Sequence, residues 1–117
     1  MYIQDRIMKI ANDIELSYKI SSITENKRLT SAIARVYVDN KKHEVEIELS
    51  PLFFNRITRE GQDRVLKHEL MHVKHSEITG KQSNHSKEFK DLCYKFFGDR
   101  TIGNTTIDKK YIISIDN

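Results

Sequence analysis

The sequence is poor in the residues that mark several protein classes. Among 117 residues there are one cysteine, one proline, four glycines and no tryptophan. Cys93 alone can form neither an intramolecular disulfide nor a four-cysteine zinc ribbon, which agrees with a reducing compartment. So little proline and glycine excludes fibrous and linker classes.

Long apolar runs are also missing. No stretch approaches the roughly 20 apolar residues that a membrane-spanning helix requires. The first ten residues carry charges where a signal peptide would have its apolar centre. The sequence therefore predicts a cytoplasmic protein that does not engage a membrane.

Composition favours one small folded domain over residues 1–117. Hydrophobic residues make up 38% of the chain and charged residues 32%, which is too apolar for a disordered tail. The net charge of +3 is spread along the chain without a dense basic run. Charge alone therefore gives little support for nucleic-acid binding, and we expect a monomer.

Hydrophobic periodicity predicts helices at three places. Isoleucines spaced by four, three and four residues predict an N-terminal amphipathic helix over residues 2–16. A second helix is predicted over 58–77, with Leu66, Leu70 and Val73 on its buried face, and a third over 85–97. Pro51 is predicted to begin a short helical turn.

Alternating apolar residues predict a short antiparallel sheet. Residues 32–38 and 44–49 alternate around a polar turn, which is typical of a hairpin. β-branched residues favour another strand over 17–24, and the tail at 111–115 could form an edge strand. With the helices, these strands predict an α+β, zincin-like fold of a single domain.

The predicted central helix carries the pattern H-E-x-x-H. His68 and His72 are about one helical turn apart, so both imidazoles can reach one ion. Glu69 lies about 100° around the helix from His68, beside the ion, where it can take a proton from water that the metal activates. The pattern indicates a zinc site with Glu69 as general base.

A catalytic zinc normally has three protein ligands, so a third ligand must come from elsewhere. A metzincin would need a histidine where the chain has Ile78, which excludes that class. His75 lies roughly 10 Å along the helix from His68, too far to share the ion comfortably, and we expect a partly exposed helix residue.

His85 is the favoured third ligand. The Gly80 loop is expected to reverse the chain, and His85 would then open the next helix and face the first two ligands. Glu88 on the same helix is the carboxylate alternative. His43, at the hairpin, is predicted to lie on the surface.

Three stretches together resemble the SprT-like family of zinc metallopeptidase domains. They are I-E-L-S-P-L-F-F at 47–54, H-E-L-M-H at 68–72 and N-H-S-K-E-F-K-D-L-C at 84–93. Their order matches the family, and the resemblance covers about residues 15–97. It implies that His68, His72 and His85 bind zinc and that Glu69 is the general base.

The chain departs from the family pattern twice. Ser86 stands where the family commonly has glycine after the third histidine, and no Cys-x-x-Cys ribbon follows the catalytic core. The resemblance implies a minimal SprT-like domain. It also implies DNA-associated or DNA-crosslinked proteins as substrates, and DNA itself as a further partner.

The leading functional hypothesis is a zinc-dependent metalloendopeptidase acting on protein or peptide substrates. An edge strand beside the central helix could bind an extended peptide by strand addition. The rival hypothesis is a zinc-stabilised module that binds nucleic acid or protein and cleaves nothing. Glu69 favours the enzyme, because a purely structural zinc site needs no base.

Overall fold

A computed structural model describes residues 2–113. Helices and a sheet form one small α+β unit, which confirms the predicted fold class. Within the described range the elements are α1 Ile3–Asp13, β1 Lys19–Glu25, β2 Ala34–Asp39, β3 Glu44–Leu49, α2 Pro51–Phe54, α3 Arg59–Thr79, α4 Lys87–Phe97 and the 3₁₀ turns Arg100–Gly103 and Lys109–Tyr111.

The predicted isoleucine stripe forms the buried face of α1. Ile7, Ile10 and Ile14 are buried in the core. The helix ends at Asp13, before the predicted boundary at residue 16, because Glu15 adopts a left-handed φ of 54° that no α-helix continues. Helix α1 therefore covers the core over three turns and then reverses towards β1.

Arg6 ties α1 to the helix that carries the histidines. Its guanidinium is largely buried and donates hydrogen bonds to Asp63 Oδ1 at 2.6 Å and to Gln62 Oε1 at 2.9 Å. Both acceptors lie in the early turns of α3. Since the pair joins elements far apart in sequence, it fixes how α1 lies across α3.

The sheet is mixed, so the prediction of an antiparallel sheet is wrong for one of its two strand pairs. The order is β1-β3-β2. Strands β2 and β3 form the predicted antiparallel hairpin, whereas β1 runs parallel to β3. Alternation reports which side chains face the core but not which strand lies alongside, so the sequence did not reveal this pairing.

Strand β3 is the centre of the sheet and follows its predicted alternation. Val45, Ile47 and Leu49 are buried, while the intervening glutamates lie on the other face. The buried face packs towards the helices. Strand β2, with β3 on one side only among the described residues, is an edge strand beside α3.

Capping residues set the limits of the two long helices. Thr58 Oγ1 accepts the Gly61 N–H at 3.1 Å and begins α3, and Gly80 ends it with a φ of 70°. Leu66, Leu70 and Val73 are buried as predicted. No helix within residues 2–113 has both the length and the apolar character needed to cross a membrane.

The chain after α4 packs back along α3 without regular strands. Tyr111 lies in a 3₁₀ turn and Ile112 forms a single antiparallel bridge with Ile57. The edge strand predicted at 111–115 is therefore wrong as far as the structure describes it, and residues 114–117 lie outside the described range. A Cβ at Gly61 would lie 2.7 Å from Tyr111 Cβ, so this close approach requires glycine.

Candidate metal centre

Three imidazole rings converge beside α3. The Nε2 atom of His68 lies 3.2 Å from that of His72 and 3.1 Å from that of His85. The Nε2 atoms of His72 and His85 are 3.1 Å apart. The structure thus brings together the three histidines that the sequence indicated, with one nitrogen of each turned towards a common point.

The loop after α3 supplies the third ring. Gly80 ends α3 and the chain reverses, as expected. Ser86 Oγ then accepts the Phe89 N–H at 3.3 Å and begins α4 at Lys87. The prediction that His85 opens this helix is therefore wrong, because Ser86 takes the capping position. His85 precedes the helix and turns back to the other two histidines from the loop.

Phe89 forms the floor on which the three rings rest. Its side chain is fully buried. The ring stacks on His72 with centroids 4.2 Å apart and meets His68 and His85 edge-on at 5.2 and 5.5 Å. An apolar wall against all three rings restricts their rotation and excludes water from one side.

The outer nitrogens of the two α3 histidines have their own partners. His68 Nδ1 lies 2.7 Å from the carbonyl oxygen of Ile102, and His72 Nδ1 lies 2.7 Å from Ser83 Oγ. A carbonyl can only accept, so His68 Nδ1 carries the proton. In a neutral ring this leaves a lone pair on Nε2, the atom that faces the other histidines.

The surroundings keep these rings neutral near pH 7. Burial lowers the pKa of His72 to about 3, and the neighbouring histidines add to the effect. Burial also lowers the pKa of His68, which outweighs the opposing effect of its bond to the Ile102 carbonyl. Neutral imidazoles are the form that binds metals.

The donor set fits a zinc ion. His68, His72 and His85 would hold the ion through three neutral imidazole nitrogens, a ligand type that zinc commonly takes in proteins. Three protein ligands are also the number found in catalytic zinc sites, where the ion would supply an activated water. With His68 Nδ1 protonated, the lone pair on its Nε2 faces two other ring nitrogens within 3.2 Å, an arrangement that a bound cation would stabilise.

Glu69 lies next to His68 and lines the same cleft. Its carboxyl group is partly buried, and that burial raises its pKa to about 8. A raised pKa makes the carboxylate a stronger base but also leaves it largely protonated near pH 7, unless a cation beside it lowers the pKa again. The position beside the histidines and outside their triangle suits a base better than a ligand.

The cleft has a volume of about 950 Å³ and is lined by three parts of the chain. They are residues 31–34, which lead into β2, helix α3 with Arg64, His68 and Glu69, and residues between Asp99 and Tyr111. A cleft of this volume is large enough for a short peptide segment. The histidine triangle therefore adjoins a groove rather than a closed pocket.

Other residues weighed as ligands lie elsewhere. His75 is only 5% exposed, so the expectation of a partly exposed residue is wrong. Its ring turns towards Ser83 and lies outside the triangle. Glu88 is exposed, with Oε2 3.7 Å from His75 Nε2. His43 is exposed as predicted and stacks on Tyr18.

Sequence reasoning missed the residues that orient the histidines. The Ile102 carbonyl is a backbone group, to which no sequence pattern points. Ser83 lies in a polar loop, where a serine carries no signal by itself. Both groups reach hydrogen-bonding distance of the α3 histidines only because the segments after α3 and after α4 fold back onto α3.

Comparisons with known proteins agree with this fold. The model of the SprT-like family matches residues 5–109. A crystal structure of the metallopeptidase zymogen jannalysin from Methanocaldococcus jannaschii is similar, with a TM-score of 0.61 at 20% identity over 83% of each chain. No curated protein matches the chain. At that identity the likeness to jannalysin shows the fold alone.

Proposed function

Because the chain belongs to the SprT-like family, as its motifs indicated, we propose that it is a zinc-dependent metalloendopeptidase. His68, His72 and His85 bind the ion, and Glu69 is the general base. The observation that carries this proposal is the triangle of three Nε2 atoms within 3.2 Å of one another, with Glu69 beside it in an open cleft.

The catalytic chemistry divides between the ion and the chain. Zinc, when bound, lowers the pKa of water towards about 7 and polarises a peptide carbonyl. Glu69 accepts the proton from the attacking water and returns it to the leaving amine nitrogen. Burial raises the pKa of Glu69 to about 8 in the metal-free protein, and a cation held by the neighbouring histidines would lower that pKa and favour the ionised form that accepts the proton.

The cleft supports an extended peptide as substrate. Strand β2 pairs with β3 on one side, and residues 31–34, which lead into β2, line the same cleft as Glu69. A peptide in extended conformation could add to this edge through backbone hydrogen bonds. Backbone hydrogen bonds depend little on the identity of the side chains, so we expect the protein to cleave substrates with many different sequences.

The proposal extends to DNA-associated or DNA-crosslinked proteins as substrates. This part rests on the family alone, because the charge of +3 is spread along the chain. Proteolysis is therefore best measured on the same protein substrate with and without DNA. A dependence on DNA would support this substrate class, and its absence would leave a general endopeptidase.

Replacing Glu69 with glutamine tests the base directly. We expect Glu69→Gln to keep one zinc ion per chain and to lower proteolysis by about 10²–10⁴-fold, since the amide cannot take the proton. The measurement is cleavage of an unfolded protein together with zinc content. Glu60→Gln is the matched control, because Glu60 lines the same cleft nine residues earlier on α3.

Two results would contradict the peptidase. If Glu69→Gln cleaves as fast as the wild type, Glu69 is not the base. If the wild type holds zinc yet cleaves no protein, with or without DNA, the chain is the zinc-stabilised binding module that is the rival hypothesis.

A further inference from the structure

The Ser83 hydroxyl group lies between His72, which belongs to the histidine triangle, and His75, which does not. Ser83 Oγ lies 2.7 Å from His72 Nδ1 and 2.8 Å from His75 Nδ1. His72 belongs to the triangle, whereas His75 is buried one turn further along α3 and lies outside it. Ser83 comes from the loop that leads to His85.

Proton counting gives a consistent direction for these two hydrogen bonds. If His72 Nε2 presents a lone pair to a metal, the single proton of the neutral ring is on Nδ1 and is donated to Ser83 Oγ. The hydroxyl has one proton of its own, and among the side chains of residues 2–113 it lies within hydrogen-bonding distance of one other ring nitrogen, His75 Nδ1. When Ser83 donates to that nitrogen, His75 Nδ1 is unprotonated and the proton of its ring is on Nε2.

We propose that Ser83 and His75 are positioning residues for the metal centre, acting as a relay from His72 Nδ1–H to Ser83 Oγ–H to His75 Nδ1. The relay fixes the tautomer and the orientation of His72 without touching the metal. The proposal rests on the ligand set given under the proposed function and does not require that the protein cleave peptides.

Among residues 2–113, the His75 ring has no other polar partner of comparable strength. Its Nε2 lies 3.7 Å from Glu88 Oε2, beyond hydrogen-bonding distance, and the glutamate is exposed. Thr79 Oγ1 donates to the His75 backbone carbonyl at 3.0 Å, which fixes the backbone of the last turn of α3. The relay thus couples the end of α3 to the loop that carries His85.

The relay also explains why His75 is buried. A neutral imidazole left without partners in the core would cost free energy, and Ser83 supplies the hydrogen bond that offsets the cost. His68 needs no such relay, because the Ile102 carbonyl already fixes its tautomer. The two α3 ligands are therefore oriented by different means, one by backbone and one by side chains.

Zinc affinity measured by competition with a chromogenic chelator tests the relay. Ser83→Ala leaves His72 Nδ1 without its acceptor, and we expect zinc to bind about 10–100-fold more weakly, as for other groups that orient metal ligands. Ser83→Thr keeps a hydroxyl and should retain most of the affinity. Gln82→Ala changes the exposed neighbour in the same loop and should bind zinc like the wild type.

Nitrogen NMR of the histidine rings gives a second readout that needs no variant. In the zinc-loaded wild type we expect His72 protonated at Nδ1 and His75 protonated at Nε2. A proton on His75 Nδ1 would overturn the relay. An unchanged zinc affinity in Ser83→Ala would overturn it as well, while leaving the peptidase proposal standing.

The remaining outcomes separate the two proposals. A wild type that binds zinc, loses affinity in Ser83→Ala and shows the expected tautomers, but cleaves nothing, supports the relay and contradicts the peptidase. A wild type that binds no zinc contradicts both, because the ligand set itself then fails.

Discussion

At the scale of single residues, Phe89 connects the core to the candidate metal centre. The ring is fully buried, and one of its faces stacks on His72 while the other two histidines meet it edge-on. Core packing and ligand orientation thus depend on one side chain. A change at Phe89 should affect both properties, whereas a change elsewhere on α4 should affect stability alone.

Phe89→Leu tests this coupling. Because leucine fills less of the space and has no flat face, we expect the free energy of unfolding to fall by about 1–3 kcal/mol and zinc affinity to fall about tenfold. Phe97→Leu is the control, since Phe97 is partly buried on the same helix and packs under Lys67, away from the histidines. Urea unfolding and chelator competition measure the two quantities. Equal zinc affinity in both variants would show that Phe89 does not orient the ligands.

Sequence patterns identified the three histidines of the triangle but not the groups that orient their rings. His68 and His72 follow from the helical spacing of the H-E-x-x-H pattern, and His85 was preferred from the expected reversal of the chain. Ser83 and the Ile102 carbonyl depend on the exact path of irregular segments. Hydrogen bonds from such segments leave no periodic trace in the sequence, which is why they could not be predicted.

At the scale of elements, Glu77 holds the segment just before β1 against the last turns of α3. Its Oε1 accepts hydrogen bonds from Ser17 N and Oγ, both at 2.7 Å, and from Tyr18 N at 3.1 Å. Its Oε2 accepts from Lys74 Nζ at 2.8 Å, and Lys74 also donates to the Glu15 carbonyl at 3.0 Å. The turn after α1 is thereby anchored to the helix that carries the site.

The charge on Glu77 should stabilise the fold in a pH-dependent way. Burial alone would raise the pKa of Glu77, but the hydrogen bonds from Lys74, Ser17 and Tyr18 outweigh it and lower the pKa below 4.5. A lowered folded-state pKa means that the contribution is complete above the unfolded-state value and is lost as the pH falls below it. We expect Glu77→Gln to unfold with about 1–2 kcal/mol less free energy at pH 7.

Urea unfolding of the metal-free protein at several pH values checks this prediction. The difference between wild type and Glu77→Gln should be constant above about pH 5 and shrink on further acidification. Asp13→Asn is the control, because Asp13 pairs with Lys9 on the exposed face of α1 and should cost little. A difference that does not narrow towards low pH would contradict the assigned role.

The elements themselves were predictable to different degrees. Repeating apolar patterns gave α3, α4 and the β2–β3 hairpin close to their observed limits. The parallel pairing of β1 with β3 could not be predicted. Strand β2 lies between them in the sequence, so they become neighbours only in the folded chain. The boundary error at His85 arose because Ser86, rather than the histidine, caps α4.

At the scale of the whole molecule, the chain after α4 completes the cleft. Arg64 Nη1 donates to Asp99 Oδ2 at 2.9 Å and its Nη2 to Thr101 Oγ1 at 2.6 Å, which fastens this segment to α3. Ile102 then contributes its carbonyl to His68. Part of the cleft lining and the orientation of His68 therefore come from an irregular segment that no periodic pattern in the sequence predicts.

Removal of the metal should lower the stability of the whole fold. The histidines belong to α3 and to the loop before α4, so an ion bound by them joins two elements that are otherwise held by a small core. At zinc concentrations about 1,000-fold above the dissociation constant, binding stabilises the fold by about 4 kcal/mol. For a domain of this size, we expect a chelator to lower the melting temperature by roughly 10–20 °C.

Histidine variants test whether the loss of stability on adding a chelator comes from the proposed ligand set. His85→Ala should melt near the chelated wild type and respond little to chelator, because the ion has lost one of its three nitrogens. His43→Ala, which changes an exposed histidine at the hairpin, should respond to chelator like the wild type. Differential scanning calorimetry with and without chelator measures both. If His85→Ala keeps the full response to chelator, the metal is held by other residues, and the triangle of His68, His72 and His85 is not its site.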